Sequence, residues 1–415
     1  MAKVIIVGAG AAGLFAAAIV AANGHQTELY EKNGVPGKKL LITGKGRCNL
    51  TNSCEKENFF QAVVSNPKFL YSAINRFDQN QFLSYLREIG LKTKIERGNR
   101  VFPESDKSSD VVSVLVKQCR RFGVKFHYHS KVDKLYSSDH CCKGIILSDG
   151  TKIQSDAVIL ACGGLSYPTT GSTGEGYTLA KEIGHHIVET LPALVPIETK
   201  ENWVKDVQGL SLKNVRIQIF AKNSEREKKR KILYEDFGEM LFTHFGVSGP
   251  VILSASSHIG RLLKTEELIL AIDLKPALSD KQLDLRFLRE FEQHRNQLVS
   301  RVLRTLYPQK LIPILMKKTK IALDRRAYSL LAEEREALLF HTKEFCLTLH
   351  KLRDYREAVI TQGGVCVQEI SPSTMESKKI SRLYMIGEML DLDAKTGGFN
   401  LQIAWSTAYA AAMSI

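Results

Sequence analysis

The chain has 415 residues, 44% of them hydrophobic, and carries 58 Lys and Arg against 44 Asp and Glu, a net charge of +14. That length gives an expectation of about two or three domains with real cores, and no internal repeat or low-complexity linker interrupts it. Eight cysteines, none in a C-x-x-C or zinc-type spacing, read as mostly free thiols, so no metal site is assigned.

Residues 4–31 open the chain with strand, turn, helix and strand. Val4–Val7 is a short apolar run suited to a buried parallel strand. Gly8, Gly10 and Gly13 form G-x-G-x-x-G: one glycine for the turn, one for close approach of a pyrophosphate, one for helix–strand packing. The helix expected over 11–22 aims its unpaired amides at that anion, and Asn23-Gly24 ends it. A second strand over 27–30 delivers Glu31, an acceptor for a ribose diol 18 residues after Gly13. Residues 4–22 are uncharged, but three glycines in six residues argue against a membrane helix or signal peptide, and no other stretch could span a bilayer. A cytoplasmic, non-membrane protein is expected.

The segment 34–52, GVPGKKLLITGKGRCNLTN, separates NAD from FAD. Gly37, Gly44 and Gly46 let the backbone run close to a large ligand, and Lys38, Lys39, Lys45 and Arg47 surround it with positive charge. An extended FAD with an electron-rich reduced ring fits that better than an ordinary crossover helix does. Asn49 and Asn52 are expected either to bond the flavin edge or to hold the loop. Cys48 and Cys54 raise the alternative of a flavin disulfide reductase. Their five-residue separation, and the lack of a second G-x-G-x-x-G for NADPH, argue against it.

Further on, DAVILACGG (156–164) reads as a buried strand returning to the nucleotide domain. A glycine-rich loop follows, with Tyr167 in it, and then a helix ending near Gly184. After Pro192 and Pro196 the pattern breaks. Val215–Phe220, Lys231–Tyr234, Glu239–Thr243 and Leu268–Leu274 read as strands, the middle two as separate partners across hairpins. Residues 279–351 have helical spacing interrupted by Pro308 and Pro313. The basic residues look spread out. The densest run, Arg226 to Lys231, reads as a solvated hairpin tip, with nucleic-acid or membrane contact as the minority reading. The charge can instead attract anionic substrates. His244, in FTHFGVSGP, is a candidate proton donor or substrate ligand.

Residues 383–413 give strand, acidic loop, glycine pair and helix. Glu388 or Asp391 could bind ribityl hydroxyls, and the helix after Gly397-Gly398 could point its amides at the flavin edge that gains charge on reduction. Trp405 is expected to pack in the core.

The chain resembles the BaiN-like, YhiN-like NAD(P)/FAD-dependent oxidoreductases, which include aminoacetone-oxidase-like members. The motifs that carry the resemblance are the first glycine turn, Gly37-Lys38-Lys39, Gly44-Lys45-Gly46-Arg47-Cys48-Asn49-Leu50-Thr51-Asn52, Thr243-His244-Phe245-Gly246, Ser248-Gly249-Pro250, Thr361-Gln362-Gly363-Gly364-Val365, Thr374-Met375-Glu376-Ser377-Lys378, Gly387-Glu388 and Gly397-Gly398-Phe399-Asn400. Lys45 stands where the family commonly has Gly. The resemblance implies an α/β fold: a Rossmann-like FAD-binding domain in two sequence segments (1–192 and 358–415). Between them lies an inserted capping or substrate domain (193–357), its β part over about 193–275 and its helical part over about 276–357. It also implies FAD contacts from the first turn, Glu31, the 44–52 loop and the start of the last helix.

The cofactor-binding candidates are thus Gly8, Gly10, Ala11, Ala12, Gly13, Glu31, Lys32, Lys39, Leu40, Thr43, Gly44, Gly46, Arg47, Cys48, Asn49, Ala161, Cys162, Gly163, Gly387, Glu388, Gly398, Phe399, Asn400 and Leu401. Arg47 and His244 are the catalytic candidates, for charge and proton handling. The expected reaction is hydride transfer between a small organic substrate and FAD, with NADH or NADPH as a transient reductant. The alternatives are an oxygen-using oxidase of a small amine or ketone, a flavin-binding sensor or RNA-associated protein, and the dithiol reductase. Substrate, direction, electron partner and oligomeric state stay open.

Overall fold

The computed structural model describes residues 1–224 and 230–415, so the basic run expected at a hairpin tip falls largely outside the described residues. The chain divides into two compact units, residues 1–193 with 354–415, and residues 194–353.

The first unit is built on a five-stranded parallel sheet. Its strands are β1 (Lys3–Val7), β2 (Gln26–Tyr30), β3 (Lys125–His127), β4 (Ala157–Leu160) and β5 (Leu383–Met385), in the order β5-β4-β1-β2-β3. Val4, Ile5 and Ile6 lie in the middle of it, fully buried, as a strand covered on both faces requires. The connection from β1 to β2 is helix α1 (Ala11–Ala22). Its alanine-rich surface allows close packing on two sides, against the sheet and against the last helix, α2 (Phe399–Ala412). Trp405 of α2 is fully buried, stacks on Phe82 with centroids 4.8 Å apart, and donates its indole N–H to the Leu50 carbonyl at 2.9 Å. The Rossmann-like α/β fold expected from the sequence is present. The strand Ile187–Ala193 pairs antiparallel with Ile360–Val365, joining the two sequence segments of this unit.

The second unit holds a closed six-stranded antiparallel barrel. Around it run Ile197–Thr199, Gly246–Ser248, Ile232–Phe242, Ser211–Ala221, Leu268–Asp273 and Phe345–Leu352. Two expectations are corrected here. Residues 231–234 and 239–243 do not form two strands: Ile232–Phe242 is one strand of 11 residues. Gly238 in its middle is no turn, but the place where a Cβ would come within 2.8 Å of the Val251 side chain. Residues 345–352 are also not helical. Phe345, Leu347 and Leu349 alternate inward and close the barrel, and the helices Asp280–Gln293, Ile312–Thr319 and Ala332–Lys343 precede them. Pro313 sits in the first turn of its helix, where a missing N–H costs nothing.

Candidate cofactor and active site

The C-terminal end of β1 turns sharply into α1. Gly8 has φ +103°, and a Cβ there would lie 2.6 Å from the Ala161 carbonyl oxygen, so glycine alone fits. A Cβ on Gly13 would lie 1.8 Å from the Gly8 oxygen, while one on Gly10 would meet nothing within 4 Å. Gly8 and Gly13 therefore serve packing, and Gly10 faces open space. Beside it, α1 begins with no side-chain cap and no acid in its first turn. The first intrahelical bond is Leu14 N–H to Gly10 O, so the amides of Ala11, Ala12 and Gly13 have no helical partner.

Glu31, buried at the end of β2, takes Ala9 N–H on Oε2 at 2.8 Å, and Asn33 N–H and Nδ2 on Oε1 at 2.8 and 2.7 Å. A carboxylate has about four acceptor directions, so Oε2 keeps one for a ribose hydroxyl. Lys32 reaches away to Thr173 and Glu175 at 2.6 and 2.8 Å.

The loop after the short helix Lys38–Ile42 is tightly coiled. Gly44, Lys45, Gly46 and Cys48 all have positive φ, two of them without being glycine. Such strain marks a site whose surroundings over-determine it. Leu40 is buried and its carbonyl accepts the Thr43 hydroxyl at 2.6 Å. Asn52 holds the loop through Gly98 O and Gly397 O, both at 3.0 Å. Asn49 does the opposite: its Oδ1 is buried and unpartnered, and a Cβ on Gly398 would lie 2.9 Å from it. Gly398 caps α2 with φ +99° and no side-chain cap. An orphaned amide oxygen thus lies beside the N-terminus where Phe399, Asn400 and Leu401 begin the helix. The Asn400 side chain itself is occupied, closing its loop onto Ala394 N and O at 2.9 and 2.8 Å.

Between these elements lies a polar node. Lys39 Nζ reaches Glu388 Oε2 at 2.5 Å and also bonds Ser166 Oγ. Glu388 Oε1 accepts Ser166 Oγ at 2.8 Å and Thr361 N–H at 3.0 Å. Thr361 Oγ1 in turn accepts Leu165 N–H at 2.7 Å and Ser166 N–H at 3.1 Å. Gly163 (φ +72°) follows Ala161 and Cys162 into the node, and Gly387 (φ +70°) donates its N–H to Thr407 Oγ1 at 3.0 Å, close under Ala12. Of the two acids expected for the ribityl chain, Glu388 sits in this node, while Asp391 Oδ2 accepts from Asn66 at 2.9 Å. Ser166 and Thr361 had no role assigned from sequence.

Arg47 does not project a free charge. Its guanidinium pairs with Glu96 and with Asp106, which also binds Lys94 at 2.5 Å, and lies 4.2 Å over the Phe102 ring. The Arg47 bonds hold the Glu96 carboxyl below its usual range, and bonds from Lys94 and Arg47 do the same for Asp106. All eight cysteines are free. Burial pushes the Cys48 thiol up to about 12, and Cys54 is raised by the same cause, which makes both poor thiolate nucleophiles. Tyr167 is held in the first unit by its N–H on Tyr355 O at 2.9 Å. His244 belongs to the second unit, on the exposed bend between two barrel strands. That bend is closed by Gly246 N–H to Thr243 Oγ1 at 3.1 Å, and the imidazole packs edge-on against Phe245.

FAD passes the test of fit in the first unit: an uncapped helix start beside an open glycine, a buried acid with one free acceptor direction, and an orphaned amide oxygen at a second uncapped helix start. The model for the HI0933-like protein Rossmann domain matches residues 2–414. A 3-dehydro-bile acid delta(4,6)-reductase of Clostridium scindens is 32% identical, over 99% of this chain and 98% of its own length. A ribosomal RNA dihydrouridine synthase of Escherichia coli K12 is 30% identical, over 99% and 97%. Among solved structures, the 3-ketosteroid-Δ4-(5α)-dehydrogenase of Rhodococcus jostii RHA1 is similar with TM-score 0.53 at 14% identity, over 99% of this chain and 96% of that one. No helix among the described residues is long and apolar enough to cross a membrane.

Proposed function

We propose, for a chain that belongs to the HI0933-like Rossmann-domain family and is an FAD-dependent oxidoreductase, that its reaction is reduction of a carbon–carbon double bond conjugated to a carbonyl. The observation that carries this is chemical. The two relatives above match the chain end to end, and their names describe one reaction type: loss of ring double bonds in a 3-oxo compound, and saturation of uracil to dihydrouridine. In both, the double bond is polarised by a carbonyl, so its far carbon accepts hydride and the carbon next to the carbonyl needs a proton.

Bound and reduced FAD would supply the hydride. The chain supplies the rest. Amides of Ala11–Gly13 beside Gly10 hold the pyrophosphate, and Glu31 Oε2 holds a ribose hydroxyl. The amides of Phe399, Asn400 and Leu401, with the Asn49 carboxamide, hold the polar ring edge. Lys39, Ser166, Glu388 and Thr361 fix three distant segments around it. Arg47 anchors the strained loop through Glu96 and Asp106. His244 is the proposed proton donor, since an imidazole can give a proton from a ring nitrogen. NADH or NADPH would visit transiently as the reductant.

The test is product analysis. Protein loaded with FAD and supplied with NADH or NADPH under exclusion of oxygen is given a conjugated cyclic ketone. Gain of two hydrogens across the ring double bond supports the reading. Turnover only with oxygen, releasing peroxide from an amine or ketone, replaces it with an oxidase.

A further inference from the structure

The positive charge is not spread evenly, as the sequence alone suggested. The second unit holds 29 Lys and Arg against 20 Asp and Glu, so +9 of the net +14 falls in residues 194–353. Within it, residues 295–328 contain nine Lys and Arg and a single acid, Asp324.

The fold gathers that segment into one closed loop. Val299 N–H bonds Arg325 O at 2.9 Å, Ala327 N–H bonds Gln297 O at 2.9 Å, and Tyr328 N–H bonds Arg295 O at 3.0 Å. The two basic ends therefore lie side by side, with Arg326 tied to Asn296 O at 2.6 Å. Two flanking acids are already engaged: Glu292 with Arg295 at 3.3 Å and Glu334 with Arg325 at 2.9 Å. Arg301, Arg304, Lys317 and Lys320 are exposed and make no ion pair among the described residues. Four unmatched cations on one compact loop repel each other, an arrangement that an anionic partner relieves.

Two further features indicate the kind of anion. A cavity of about 310 Å³ opens at the same loop, walled by Leu306, Tyr307, Pro308 and Leu311, with Lys213 and Lys275 on its rim. Tyr328, 60% exposed, and Leu323, 72% exposed, stand among the cations. Cations together with an exposed ring and a small recess of mixed polar and apolar lining suit a chain of phosphates carrying flat bases.

We infer that the 295–328 face of the second unit is a docking surface for single-stranded RNA, gripping backbone phosphates through Arg301, Arg304, Lys317 and Lys320. This rests on the reading of the reaction above, because a uracil base is one carrier of the required double bond. The RNA then delivers its substrate as part of a strand.

The experiment measures binding of FAD-loaded protein to a uridine-containing single-stranded RNA across a salt series. Four phosphate contacts predict about a fifty-fold loss of affinity between 50 and 200 mM salt. R301Q/R304Q/K317Q/K320Q should lower affinity more than tenfold and flatten the salt slope, with flavin content unchanged. A matched variant elsewhere, R87Q/K92Q/K117Q/K125Q, should bind as the parent does. Equal binding by the first variant, equal loss in both, or binding to phosphatidylglycerol vesicles in place of RNA overturns the inference. Flavin reoxidation by a conjugated cyclic ketone is followed in parallel. If RNA binds through these four residues but the ketone does not reoxidise the flavin, the reaction fails and the surface stands. If the ketone reoxidises it and RNA binding ignores the four residues, the surface fails and the reaction stands.

Discussion

Lys39 and Glu388 lie 349 residues apart in sequence, yet Nζ and Oε2 meet at 2.5 Å with both side chains about one-fifth exposed. That contact, extended through Ser166 and Thr361, ties the 38–42 helix to the C-terminal segment. Removing one partner leaves the other charge half-buried, at a cost of about 1–3 kcal/mol. E388Q and K39M should each lower the melting temperature and the fraction of FAD retained on purification. The double variant should be less destabilised than the sum of the two, which a double-mutant cycle reads directly.

The glycines of the first turn separate packing from ligand approach. Gly13→Ala drives a methyl into the Gly8 carbonyl and should cost about 3 kcal/mol with or without cofactor. Gly10 has φ −79°, and a Cβ there meets only open space. Gly10→Ala should therefore leave apoprotein stability within about 1 kcal/mol while weakening FAD binding about tenfold or more. Fluorescence titration with FAD beside thermal unfolding of the apoprotein distinguishes the two.

Lys45, at φ +58°, occupies a conformation that L-residues avoid by about 1–2 kcal/mol. Part of that is returned as glycine's unfolded-state entropy, so Lys45→Gly should stabilise by about 0.5–1 kcal/mol and Lys45→Ala by nothing. Denaturant unfolding of the three proteins checks the order.

His185 has a side chain with no exposure, between Glu369 Oε2 at 3.0 Å and Ser377 Oγ at 2.8 Å. Burial lowers its pKa below the ordinary 6.5, and the Glu369 bond offsets this only in part. The folded state thus favours the neutral ring. Its contribution is complete above about pH 6.5 and is lost as pH falls towards the folded pKa. The drop in melting temperature from pH 7.5 to 5.5 should be smaller in His185→Gln than in the parent. An equal drop would assign the acid sensitivity elsewhere.

How much of this was legible in the sequence follows from how far apart the partners are. The first strand, glycine turn, helix and second strand are contiguous, and each residue's role is set by its immediate neighbours, so Gly8 to Glu31 could be read directly. Ser166, Thr361 and Glu388 meet only through the fold, and nothing in their local sequence marks the node. The single strand Ile232–Phe242 carries Gly238 in its interior, where a Cβ would come within 2.8 Å of the Val251 side chain. Phe345–Leu352 was lost inside a helical run because a short alternating strand directly follows the helix Ala332–Lys343. The basic face was diluted over 34 residues until the pairing of Val299 with Arg325 folded it together.

The most direct measurement is the visible flavin spectrum of fully reduced, FAD-loaded protein mixed without oxygen with a conjugated cyclic ketone and, separately, with its saturated counterpart. Return of the oxidised flavin band with the conjugated compound alone is the expected result. A band that stays bleached with both and returns only on admitting oxygen would contradict reduction of a conjugated double bond as the reaction of this protein.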